Sequence, residues 1–189
     1  MTDLSRTVAA LADDAQARLV DYARHETPTG DAAALNALAD VLEARHRELG
    51  ARTERIACET GDHLVARLGD PAAPHVLLLG HHDTVWPVGS LLSHPWRVAD
   101  GRAYGPGCFD MKAGLVQLFH ALAGLSSLDG ITVLVTGDEE LGALTSRPLL
   151  HEEAARASAA FVLEASADGG ALKTARKGVA WYEVAVTGR

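Results

Sequence analysis

The sequence predicts an α/β domain in which a mostly parallel or mixed sheet is flanked by helices. Segments with apolar residues at helical spacing alternate along the chain with short runs that are apolar almost throughout. Three such runs, at residues 75–80, 130–137 and 159–166, read as strands that are buried on both faces. This alternation is typical of an α/β architecture. The 189 residues, of which 48% are hydrophobic, suffice for one such domain.

The individual elements follow from periodicity and from capping residues. Residues 26–31 interrupt the first helical pattern with a proline and a glycine, and Asp31 can then cap a second helix. Ser5 can cap the first helix, and Thr145 or Ser146 the last one. Helices are therefore expected at residues 4–25, 32–48, 112–125 and 145–157, and strands at residues 52–56, 63–68, 75–80, 130–137, 159–166 and 171–189.

The composition argues against several classes of partner. The formal charge of −8 disfavours nucleic acid, because proteins that bind its phosphates carry a basic face. No signal-peptide pattern starts the chain, and no run approaches the ~20 apolar residues of a membrane span. Cys58 and Cys108 lie far apart, which suits reduced thiols, although one disulfide is also compatible. We therefore expect a cytoplasmic protein with a small-molecule substrate and no nucleic-acid or membrane partner.

Side chains that bind metals follow the predicted strands. The carboxyl ends of neighbouring parallel strands meet at one edge of a sheet, so we expect these side chains to lie close together. Carboxylates gathered in this way repel one another unless a cation neutralises them. A divalent metal, or two, is the economical explanation, and an imidazole among carboxylates suits a zinc-like ion better than calcium. The groups concerned are His81, His82 and Asp83, then Asp138, Glu139 and Glu140, then Glu164, together with Asp110 after the long loop expected at residues 84–107.

Spacing refines the roles of these residues. Residues i and i+2 of a strand share a side, so His81 and Asp83 face one way and His82 faces the other. If His81 is a ligand, Asp83 is placed to accept the second ring N–H and fix the tautomer. Glu139 and Glu140 are neighbours in a loop, so one can bind metal while the other faces the substrate as a base. Each feature alone is more often an ordinary polar turn, and only their conjunction predicts a metal site.

Four stretches together resemble one known family in order and spacing. They are GHHDTVWP at residues 80–87, GRAYGPGCFDMKAGL at 101–115, VTGDEELGA at 135–143 and FVLEAS at 161–166. These stretches closely resemble the co-catalytic zinc exopeptidase and deacylase family, metallopeptidase family 20 of clan MH. That family includes glutamate carboxypeptidase, acetylornithine deacetylase and succinyl-diaminopimelate desuccinylase. The resemblance covers residues 64–189.

The resemblance implies a two-zinc site, in which cobalt can substitute for zinc. His81 and Glu164 would bind one ion, Glu140 would bind the other, and Asp110 would bridge both. The peptide bond between Asp110 and Met111 is a candidate for the cis form that this family often shows there.

The resemblance also implies a mechanism and a class of substrate. Glu139 would act as the general base on a metal-activated water, and Asp83 would orient His81. The long loop is most similar to that of glutamate-carboxypeptidase members, which release a C-terminal amino acid such as glutamate from a small N-acyl or peptide substrate. An N-acyl-amino-acid deacylase remains the alternative. A non-catalytic remnant that serves as a binding or interaction module is a third interpretation.

The resemblance implies a domain boundary near the end of the chain. Residues 1–177 would form the N-terminal part of the catalytic domain, and residues 178–189 the first strand of a lid and dimerisation domain. Full-length relatives are expected to be homodimers. No further histidine lies in a matching motif for the second zinc, so we expect an N-terminal fragment that holds one metal well and has little or no activity alone.

Overall fold

The computed structural model describes residues 3–180 and 182–188. The helices are α1 (Asp3–Arg24), α2 (Ala32–Glu48), α3 (Ser90–Ser93), α4 (Ala113–Ala123) and α5 (Arg147–Arg156). The strands are β1 (Arg52–Ile56), β2 (His63–Leu68), β3 (Val76–His81), β4 (Arg97–Ala99), β5 (Arg102–Tyr104), β6 (Ile131–Thr136) and β7 (Ala159–Val162). None of these helices combines the length and apolar character that crossing a bilayer requires.

The main sheet is mixed, which confirms the predicted fold class. Its strand order is β1-β2-β6-β3-β7. Strand β3 runs parallel to both β6 and β7, whereas β2 is antiparallel to β1 and β6. The parallel half therefore carries the three apolar runs that the sequence analysis singled out.

Helices cover both faces of this sheet. One face packs its side chains, such as Leu64 and Val133, against α1, α2 and α4. The other face, with Val65 and Leu134, packs against leucines of α5. Adjacent residues of β2 and β6 thus enter opposite layers of the core, which explains why these strands are apolar without alternation.

The helix starts agree only partly with the predicted caps. Asp31 caps α2 by accepting a hydrogen bond from the amide of Ala34 at 3.1 Å. Helix α1 already begins at Asp3, so Ser5 lies inside its first turn and is not the cap. Ser146 occupies the cap position of α5 but makes no capping side-chain bond.

The segment expected to be a long loop contains short regular elements. It holds α3 and a hairpin of β4 and β5. Arg97 lies over the ring of Tyr104 at 3.7 Å across that hairpin, a cation–π contact that sequence periodicity does not reveal. The carboxylate of Glu26 accepts hydrogen bonds from the amides of Gly89 and Leu91 and so holds α3.

The last part of the chain departs from its predicted structure. Strand β7 is an exposed edge and not a buried strand, because in the described residues it pairs with β3 alone. Phe161 and Val162 are 56% and 62% exposed. The strand expected at residues 171–189 is not formed in its described residues, since an alternating pattern needs a neighbouring strand to pair with. Trp181 and Arg189 of that stretch lie outside the described residues.

Candidate metal centre

Register brings the ends of the parallel strands to one place. His81 at the end of β3 lies beside Thr136 at the end of β6. On the other side, Leu79 pairs with Val162 of β7, and the amide of Leu163 donates to the carbonyl of Leu79 at 2.9 Å. The residues that follow β6 and β7 therefore emerge next to His81, as the pattern of strand ends predicted.

Two glycines allow the segment that contains Asp110 to pack closely against β3 and the end of β7. A Cβ atom on Gly80 would lie 2.8 Å from Leu115 and 3.0 Å from Met111, closer than side chains pack. A Cβ atom on Gly114 would collide with the carbonyl of Leu163. The absence of side chains at both positions lets the turn before α4 pack against β3 and the end of β7. The Asp110–Met111 peptide bond in this turn is cis, as the resemblance implied.

Three predicted ligands meet at this point. Nε2 of His81 lies 3.0 Å from Oδ1 of Asp110 and 3.1 Å from Oε1 of Glu164. Among the described residues, this is the one group of three or more potential ligand residues whose donor atoms all lie within 4.8 Å of one another. Donor atoms at the usual ~2.0–2.2 Å from a shared ion are separated by about 3.3 Å. The donor set and its spacing therefore fit a divalent metal.

Asp83 contacts the Nδ1 side of the His81 ring, opposite the carboxylates of Asp110 and Glu164. Nδ1 of His81 lies 2.9 Å from the carbonyl oxygen of Asp83 and 3.3 Å from its Oδ1 atom. An N–H on Nδ1 satisfies these acceptors, so Nε2 is the ring nitrogen that faces the carboxylates of Asp110 and Glu164. The spacing of the two residues predicted this pairing, although the backbone carbonyl of Asp83 shares the contact.

His82 faces a different environment. Its side chain is buried, and its ring nitrogens have no hydrogen-bond partner among the described residues. Burial lowers the pKa of His82 to about 4, so the ring is neutral. His82 therefore lies in the interior as its strand position predicted, and its dispensability for metal binding stays a prediction.

The electrostatics of the cluster favour a cation. Burial disfavours a charge on His81, but the carboxylates of Asp83 and Glu164 outweigh burial and raise the pKa of His81 to about 11 in the metal-free protein. The hydrogen bond from His81 likewise holds the pKa of Glu164 below its ordinary value. A site that stabilises an imidazolium ion in this way offers the same negative potential to a metal cation.

Glu139 and Glu140 are held beside the cluster without joining it. Their backbone amides donate to Oδ1 and Oδ2 of Asp83 at 3.2 and 3.1 Å. Burial raises the pKa of both glutamates, and the charge of Asp110 adds to the shift of Glu140. The part of the chain that the structure describes does not bring the Glu140 carboxylate into the three-residue group, so its role as a ligand stays a prediction.

The sequence analysis missed two residues that support this site. Thr29 donates its hydroxyl to Oδ2 of Asp83 at 2.9 Å, whereas its segment had been interpreted only as a helix break. Lys112 is buried, and its Nζ atom donates to the carbonyl of His25 at 2.5 Å. Lys112 thereby links the turn that contains Asp110 to the residue that follows α1.

Fold and site together define an α/β domain with a candidate site for a divalent metal, and comparison with known proteins identifies the family. The model of peptidase family M20/M25/M40 matches residues 77–184, and the chain belongs to that family. Carboxypeptidase G2 of Pseudomonas sp. (strain RS-16) is 35% identical over 173 residues, which cover 87% of this chain and 42% of that protein. The succinyl-diaminopimelate desuccinylase of Bradyrhizobium sp. (strain BTAi1) is 40% identical over 115 residues, which cover 53% of this chain and 30% of the relative.

A solved structure supports the fold independently. Human carnosine dipeptidase 1 superimposes with a TM-score of 0.71 at 19% identity, over 83% of this chain and 39% of that one. In each of these comparisons the chain spans less than half the length of the relative.

Proposed function

We propose that this chain contributes to a carboxypeptidase-type hydrolase that releases a C-terminal amino acid, such as glutamate, from a small N-acyl or peptide substrate. The observation that carries the proposal is the meeting of His81, Asp110 and Glu164 within one ion's reach. The similarity to carboxypeptidase G2 supports the peptidase assignment. On this proposal, residues 1–177 form the larger part of a catalytic domain.

We assign zinc to the site, with His81, Asp110 and Glu164 as the ligands of one ion. One imidazole and two carboxylates form a donor set that zinc accepts, and cobalt suits the same set. Asp110 and Glu140 are assigned to a second ion. When bound, the metal supplies Lewis acidity and lowers the pKa of a bound water.

The residues of the chain then divide the remaining work. Glu139, whose pKa is raised by burial, accepts the proton of the attacking water and delivers it to the leaving nitrogen. Asp83 keeps His81 in the tautomer that presents Nε2 and holds the amides of Glu139 and Glu140. One carboxylate thus aligns the base with a ligand of the metal.

A deacylase is the second candidate, supported by the similarity to desuccinylases. Both reactions cleave an amide bond with the same residues, and they differ in the group that the protein recognises beside it. A non-catalytic binding module is the third candidate, although Glu139 beside the cluster favours an enzyme because a module has no use for a base.

A hydrolysis assay separates these candidates. The purified chain, loaded with zinc or cobalt, is incubated with N-acyl-glutamates and N-succinyl-amino acids, and the released amine is measured. Glu139→Gln should reduce turnover by about 100-fold or more, whereas Glu152→Gln, an exposed change on α5, should not. Preferential cleavage of the succinyl substrates would favour the deacylase. Metal binding with little turnover matches the weak activity expected of this chain alone, whereas failure to bind zinc or cobalt would overturn the proposal.

A further inference from the structure

His63, at the start of β2, is a buried histidine with an assigned hydrogen-bonding role for each ring nitrogen. The amide of Gly137 donates to its Nδ1 atom at 3.1 Å, and its Nε2 atom lies 3.1 Å from the hydroxyl oxygen of Thr145. Since Nδ1 accepts, the ring proton must reside on Nε2, which donates to Thr145. Burial lowers the pKa of His63 and so favours this neutral form.

Thr145 is in turn hydrogen-bonded to Asp138. Its hydroxyl donates to Oδ2 of Asp138 at 2.7 Å, and the same oxygen accepts the amides of Thr145 and Ser146 at 2.6 and 3.1 Å. Asp138 is 1% exposed. The hydrogen bonds therefore run from Gly137 through His63 and Thr145 to Asp138, and each bond has one donor and one acceptor.

This series of hydrogen bonds joins the two ends of the segment 137–146. We call that segment the glutamate loop because it carries Glu139 and Glu140. The loop has little apolar anchorage, since Leu141 and Leu144 are 50% and 67% exposed. Asp83 holds the amides of both glutamates from the side of the metal cluster. Polar contacts on two sides thus determine where the glutamates lie.

We propose that His63 is a positioning residue that holds the glutamate loop in place through Gly137 and Thr145. The inference rests on the proposed function for its catalytic consequence, because Glu139 and Glu140 are the proposed base and second-ion ligand. The ring bonds of His63 go to Gly137 and Thr145, neither of which is a proposed metal ligand or the proposed base. Its effect is transmitted by the two ends of the loop.

Amide hydrogen exchange of the purified chain, followed by mass spectrometry, tests the positioning role without requiring activity. His63→Leu removes both ring bonds, and Thr145→Val removes the hydroxyl with little change of shape. Each should raise exchange in residues 137–146 by about tenfold. Thr145→Ser, which keeps the hydroxyl, should restore the wild-type rate.

His46→Leu is the matched control. It also deletes a buried imidazole, but from α2, where Nδ1 bonds only the carbonyl of Leu42. It should leave exchange in the glutamate loop unchanged. Unaltered exchange in that loop in His63→Leu, or a rise spread evenly over the whole sheet, would overturn the proposal.

Steady-state kinetics give the second readout. His63→Leu should lower kcat by about 10- to 100-fold, the usual effect of losing a supporting partner, with KM nearly unchanged. A rise in KM at constant kcat would contradict the positioning role. If the wild-type chain hydrolyses too little for kinetics, as expected of this chain alone, the exchange data still decide the role of His63, and failure to bind zinc or cobalt would separately contradict the proposed function.

Discussion

At the residue scale, His81 and His82 show how strand geometry separates two identical side chains. The first presents Nε2 to two carboxylates, and the second is enclosed without any polar partner in the described part of the chain. Successive side chains of an extended segment point in opposite directions. Adjacent residues therefore reach different surroundings: His81 meets the carboxylates of Asp110 and Glu164, and His82 is enclosed in the interior.

We expect His81→Ala to weaken zinc or cobalt binding by at least about 100-fold, because it removes a proposed direct ligand. His82→Leu, which keeps the buried volume, should change the affinity by no more than about threefold. Calorimetric titration of the metal-free chain, or the absorption of bound cobalt, measures both. Equal losses in the two variants would show that the sides assigned to these histidines are wrong.

At the element scale, helix α2 carries a pH-sensitive contact far from the ligands. His46 is 3% exposed, and its Nδ1 atom lies 2.7 Å from the carbonyl of Leu42. Burial lowers the pKa of His46, and the bond to Leu42 only partly opposes that shift. The folded chain therefore binds fewer protons at this residue than the unfolded chain does.

The sign of the pH effect follows from this difference. The neutral ring contributes its full stability above the unfolded-state pKa of about 6.5, and the contribution is lost as the pH falls below that value. We expect His46→Leu to lose less stability than the wild type between about pH 7.5 and about pH 5.5. Urea unfolding at both pH values measures the difference, and parallel losses would contradict the expectation.

At the scale of the whole molecule, one buried carboxylate docks α5 on the sheet. Glu153 is 0% exposed and forms an ion pair with Arg67 of β2. Nε2 of His75, just before β3, lies 3.8 Å from Oε2 of Glu153, and Arg156 lies 3.7 Å from Oε1. The helix that follows the glutamate loop is thus tied to β2 by the ion pair between Glu153 and Arg67.

We expect Glu153→Ala to lower the free energy of unfolding by about 2 kcal/mol, since it removes the buried partner of Arg67 and leaves, among the described residues, only the exposed Glu54, 3.4 Å away. Arg156→Ala is the control, because its side chain is 53% exposed and an exposed pair contributes about 0.5 kcal/mol. Chemical unfolding monitored by circular dichroism compares the two. A larger effect for Arg156→Ala would mean that the exposed pair, and not Arg67, holds the helix.

The local patterns of the sequence were sufficient to predict the fold class and much of the candidate site. Strands β2 and β6 and the cap at Asp31 lie close to where they were predicted, because buried strands and helix starts leave local signatures. The three predicted ligands His81, Asp110 and Glu164 meet because each lies at a strand end or just before a helix. The burial of β7 was predicted wrongly, since an apolar run does not reveal which neighbours cover a strand.

The sequence by itself determined which residue types stand at the ends of the parallel strands, since composition and spacing are local properties of the chain. Only the tertiary structure decided that Asp83 holds the amides of both glutamates and that His63 is bonded to Thr145, which lies 82 positions further along the chain. Such contacts depend on the register of paired strands and on the close approaches that Gly80 and Gly114 permit. No periodicity encodes them, because they join segments that become neighbours only when the sheet forms.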